Sequence, residues 1–120
     1  MAKSVHGDVL DAALGVVRGA TRMVALPSAP ADYAGALSAR LAEAAMGTSD
    51  FTLAAGDVSG RKLSVTAKAA LPVIAGGTAT HVALLDGARV LYVTTCPAQG
   101  VSLGGAVNIG AWDVEIAAPV

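Results

Sequence analysis

The stretch "THVALLDGARVLYVTT", Thr80 to Thr95, limits what this chain can fold into more than any other. Two apolar runs flank Asp86-Gly87, a pair suited to reversing the backbone, so His81 to Leu85 is expected to pair with Val90 to Thr94 as an antiparallel hairpin. The same grammar runs from Asp50 onward. "AWDVEI" sets Trp112, Val114 and Ile116 on one face, with Asp113 and Glu115 on the other. "RKLSVTAKA" reads as one strand, with Leu63, Val65 and Ala67 inward and Lys62, Ser64, Thr66 and Lys68 outward. Phe51 to Ala54 is a short strand closed by "AGDVSG". Gly76-Gly77 and "PAQGVSLGG" mark further turns, the second leading into a strand from Val107 to Ile109. Residues 50–117 therefore read as an antiparallel β region.

The first half has a different period. Residues 5–20 predict a helix with Ser4 as its N-cap, Asp8 and Asp11 near the positive end of the dipole and Arg18 near the negative end. Val9, Ala13, Val16, Val17 and Ala20 form an apolar stripe, widened by Leu10 and Leu14, that must be buried against another layer. Gly7 and Gly15 weaken the helix, so packing must support it. Met23 to Leu26 predicts a strand ending in the turn-rich "PSAPADYAG". In "ALSARLAEAAMG", residues 37–46 fit helix by propensity and strand by alternation, and both readings stay open. The expected fold is α+β and β-rich, with an N-terminal helix packed on an antiparallel β-sandwich or barrel. At 120 residues it forms a single domain over 1–120, with a flexible arm at 1–4 and a loose C-terminal end.

Composition narrows the function classes. The 54% hydrophobic share is inflated by 27 alanines, and no apolar run is long enough to span a bilayer or act as a secretion signal, so a soluble protein is expected. Eight basic and nine acidic residues leave a net charge of −1 without a basic cluster, which argues against binding nucleic acid through charge. Cys96 is the single cysteine, at the end of a strand, and is expected to be a small core or half-buried side chain.

Catalysis finds few candidates. His6 at a helix start reads as an exposed first-turn residue, and His81 reads as a strand residue held by a structural hydrogen bond. Asp50, Asp57 and Asp86 sit where a carboxylate caps turn N–H groups. Two distant histidines and one cysteine offer no metal-ligand spacing, and the pairs Gly76-Gly77 and Gly104-Gly105 are turn formers rather than a phosphate cradle. Trp112 alternates onto a buried face, which leaves Tyr33 as the loop aromatic available to a glycan. No enzyme, metal or cofactor is expected.

The opening "VHGDVLDAAL", the central "DFTLAAGDVSGRKLSV", the hairpin "ATHVALLDGARVLYVTT" and the ending "AVNIGAWDVEIAAP" together resemble a family of small structural proteins of tailed bacteriophages, across nearly the whole chain. The alanine-rich "SARLAEAAMG" departs from that family's strand-like middle region. The resemblance implies a virion component made in the host cytoplasm. The role it suggests first is a capsid decoration or cement protein on the outer shell, bridging neighbouring major capsid subunits. Self-association as a dimer or trimer would add avidity. The expected contacts are the N-terminal arm, Met1, Ala2, Lys3, Ser4 and Val5, and an edge strand of the sheet. The alternatives are a head-to-tail connector and a tail or fibre module that holds host glycans.

Overall fold

Three antiparallel sheets and two helices make up the computed structural model, which describes residues 3–118. The elements run α1 (Gly7–Arg18), β1 (Arg22–Leu26), α2 (Tyr33–Ala39), β2 (Ala42–Ala45), a 3₁₀ turn (Thr48–Asp50), β3 (Phe51–Ala55) and β4 (Arg61–Val65). They continue with β5 (Lys68–Pro72), β6 (Gly77–Leu85), β7 (Val90–Val101), β8 (Ala106–Ile109) and β9 (Trp112–Ile116). The fold is β-rich α+β with the first helix packed on antiparallel sheets, as the sequence pattern predicts.

The central sheet has the order β2-β1-β6-β7. In it Met23, Ala25, Val82 and Leu84 share one face, while Val24, Leu26, Ala83 and Leu85 share the other, because side chains alternate along each strand. All eight are buried, so this sheet is covered on both sides. On the second face lies α2, whose Ala36 packs with Val24, Leu26, Ala83 and Leu85. Against the first lie the sheets β3-β4-β9 and β5-β8. Leu63, Val65 and Val114 meet Met23 and Leu84 in one cluster, and Val107 meets Ala25 and Ala79 in another. An isolated bridge from Ala42 to Val73 carries β2 toward β5. The strands thus curl in the order β7, β6, β1, β2, β5, β8, an incomplete barrel.

Several local expectations need correction. The N-cap of α1 is His6 rather than Ser4: its extended backbone (φ −71°, ψ 141°) starts the helix at Gly7, and its Nδ1 accepts from the Asp8 N–H at 3.1 Å. The helix ends at Arg18. Its buried side is Leu10 and Leu14, with Val17 half-buried, whereas Val9 (59% exposed), Val16 (50%) and Ala13 face outward. The Arg61 side chain on β4 donates to Asp11 at 2.7 Å and fixes that rotation.

Residues 37–46 are both helix and strand. The α2 helix, capped by Asp32 Oδ1 on the Gly35 N–H at 2.7 Å, stops where Arg40 turns extended (φ −60°, ψ 135°). The Leu41 N–H then bonds the Ala25 carbonyl and starts β2. Tyr33 opens α2 and is half-buried, so it is not a loop aromatic.

"RKLSVTAKA" is two strands rather than one. Leu63 and Val65 are buried, but Ala67 is exposed, because the chain breaks at Thr66-Ala67 to enter a different sheet. "PAQGVSLGG" is mostly strand: β7 runs to Val101, and the turn is confined to Ser102–Gly105, with Gly104 at φ +89°. The hairpin holds nearly as expected, with Val82 opposite Thr94 and Leu84 opposite Tyr92. Its loop is closed by Asp86, whose Oδ1 accepts from the Ala88 N–H at 2.8 Å and from the Arg89 N–H. Those bonds and the Arg89 side chain hold the Asp86 carboxyl below the usual carboxylate range, the Ala88 N–H contributing most.

Candidate functional site

Of the N-terminal arm expected to make contacts, residues 3–5 are described. Met1 and Ala2 lie outside the described residues; Lys3 and Ser4 are exposed and Val5 is half-buried just ahead of α1. The candidate chemical groups do not converge. His6 caps α1, and His81 lies on β6 with its Nδ1 2.7 Å from the Thr80 hydroxyl, which itself donates to the Pro27 carbonyl. Among the described residues no three His, Cys, Asp or Glu side chains gather as a metal site.

The three turn aspartates divide. Asp86 caps its loop as expected. Asp50 accepts from the Gly47 N–H (2.9 Å), the Thr66 hydroxyl (3.0 Å) and the Lys68 ammonium (2.9 Å), and that lysine above all holds its carboxyl below the usual range. Asp57 does not cap: it pairs with Lys62 Nζ at 2.7 Å, while the N–H of Asp57 goes to Glu115 Oε1 at 2.6 Å.

The structure does form a groove, of about 440 Å³, where the barrel fails to close. Ala25, Ala79 and Val82 make its floor, Thr94, Cys96 and Gln99 of β7 one wall, and Val107, Ile109 and Trp112 the other. The strands of the walls are each paired on one side: β7 with β6, β8 with β5, and β9, which carries Trp112, with β4.

Two devices keep the walls apart. On β7 the register slips between the Ala79–Gln99 and His81–Thr95 pairs, which places extra residues and Pro97 in a bulge beside the groove. Opposite it, Asn108 Oδ1 accepts from the Ala70 N–H at 2.8 Å across a bulge where Ala70 has φ +55°, which ties β8 to β5. Only Gly110 and Ala111 separate β8 from β9, where the chain is committed to the β3-β4-β9 sheet, with Trp112 opposite Val65.

Trp112 is half-buried and stacks on Tyr92, ring centres 5.9 Å apart. The Cys96 thiol is half-buried, as its position at a strand suggested, and desolvation pushes its pKa up, away from thiolate chemistry. The groove was not legible from the sequence. Its walls come from strands whose pairing is set by distant partners, and Pro97 inside a strand was the one local signal.

A second feature is apolar and external. The Val73 N–H bonds the Gly105 carbonyl at 3.0 Å, and Gly76 lies against Val101–Leu103, so the β5–β6 and β7–β8 loops form one tip. That tip exposes Ile74 (45%) and Leu103 (73%). No helix among the described residues is long and apolar enough to cross a membrane. Compared with known proteins, the chain matches no family model, no curated protein and no solved structure.

Proposed function

We propose that this chain is a virion structural protein, a capsid decoration or cement protein that lies on the outer shell and bridges major capsid subunits. The observation that carries the reading is the apolar tip: Leu103 and Ile74 stand in solvent at abutting loops of a body measuring 55 × 24 × 24 Å. Aliphatic side chains exposed on two abutting loops support a protein contact there. An elongated β body held by buried aliphatic clusters can transmit load between contacts at its ends. Contacts of this size are weak singly; repetition over a lattice, or self-association into a dimer or trimer, supplies the avidity. The partner is proposed from the resemblance of the quoted sequence motifs to small phage structural proteins. The glycan alternative loses Tyr33, which is half-buried in α2.

The test is a count. Quantitative mass spectrometry of purified particles should find the chain in fixed, high ratio to the major capsid protein. A single ring's worth per particle would make it a connector instead, and its absence from particles would end the reading. Deleting residues 1–4 should leave the domain folded and lower its occupancy on shells; unchanged occupancy would remove the arm as a contact.

A further inference from the structure

The groove between β7 and β8 is a place where a barrel lacks one strand, and we infer that it receives an extended, uncharged strand from a partner protein. The curled order of the sheet makes β7 and β8 run in opposite directions, and only Ser102–Gly105 separates them in the chain. Two such strands would ordinarily zip together as a hairpin. Here they do not, because of the Pro97 bulge on one wall and the Asn108–Ala70 and Trp112–Val65 commitments on the other. The row of backbone N–H and C=O groups on the groove side of Ala106–Ile109 is consequently without a strand partner among the described residues. Such a row binds an extended backbone, with main-chain bonds supplying affinity and alternate side-chain seats supplying selectivity.

The lining specifies the guest. Neither Val90–Val101 nor Ala106–Ile109 contains a charged residue, so the groove lacks the lysines that commonly guard an edge. The charged side chain on its lining is Asp113, which has Lys62 Nζ at 3.7 Å. Charged guest residues would be desolvated there without a partner. The floor of Ala25, Ala79 and Val82 accommodates short aliphatic or β-branched side chains at every second position. The strand lies antiparallel to β8 and parallel to β7, since the antiparallel ladder is the stronger one and the β7 edge is bulged. This inference does not rest on the virion reading, and the assay below uses no particle.

Random linear peptides displayed as a library are selected on the folded protein, with subtraction against the Gln99→Lys variant. Gln99 is exposed, so that variant should fold while placing a charge on the groove wall. Enriched peptides should be uncharged with small residues alternating. They should shift the fluorescence of Trp112, the single tryptophan, and slow amide exchange in Ala106–Ile109. Affinity should fall by about tenfold or more in the Gln99→Lys variant. The inference is overturned if no peptide is enriched over the subtracted control, or if binders protect a different region. It is also overturned if the groove-side amides of Ala106–Ile109 are already protected in the free protein.

Discussion

Gly60 and Asp50 show how single residues hold distant parts of this chain together. Gly60 has φ +73°, and a Cβ there would run into the Ile116 carbonyl oxygen, so the β3–β4 turn and the end of β9 can abut only because the side chain is absent. Gly60→Ala should therefore cost more than about 2 kcal/mol in urea unfolding, whereas Gly87→Ala, with open space around it, should stay within about 0.5 kcal/mol. Asp50 joins its own turn to Thr66 and Lys68. Asp50→Ala should cost about 1–3 kcal/mol near neutrality. Because the Lys68 bond lowers its folded pKa, the unfolded chain takes up the proton first. The contribution is thus complete above the unfolded value of about 3.9 and is lost as pH falls through the lower folded value. Unfolding of both proteins across that range should show the gap shrinking in acid; a constant gap would mean the carboxylate charge is not what matters. The turn role of Asp50 was legible because its Gly47 partner is local. Its lysine was not, since Lys68 reaches it only after the chain has left β4 for another sheet.

At the scale of elements, legibility followed the distance between partners. The β6–β7 hairpin and the β9 alternation could be read because each is specified by neighbouring residues. The helix was read correctly as to existence but rotated, since seven apolar side chains offer two overlapping stripes and the choice between them is made by β4. The Arg61–Asp11 bond and the contacts beneath Leu10 and Leu14 turn Val9 and Val16 outward. Leu14→Ala should accordingly cost about 2–5 kcal/mol and Val16→Ala less than about 1 kcal/mol by chemical denaturation; equal losses would mean that the stripe read from the sequence is the buried one. In residues 37–46 both propensities were right in sequence, and the switch from helix to strand comes at Arg40. Its side chain donates to the Leu37 carbonyl at 2.9 Å and closes the helix just before Leu41 joins the sheet.

Across the whole molecule, pairings that build the sheets are between residues far apart in the chain. Arg22 on β1 lies opposite Leu85 on β6, and Leu63 on β4 lies opposite Val114 on β9. The groove exists at this scale alone, because it is what remains when β7 and β8, neighbours in sequence, are each bound to another strand. Long-range pairing must close large loops before any contact compensates for the lost chain entropy, so folding should be slow for a domain this size, on the order of milliseconds to seconds. Trp112 reports the event directly, since it sits on β9 and stacks on Tyr92 of β7 only after the β3-β4-β9 sheet has docked on the central one. Stopped-flow refolding should show tryptophan fluorescence and far-ultraviolet circular dichroism changing together in that window. Val114→Ala should speed unfolding more than it slows folding if β9 docks after the main barrier. A tryptophan change completed in microseconds would show that the Tyr92–Trp112 contact forms locally, and the account of a fold held together by its most distant strands would fail.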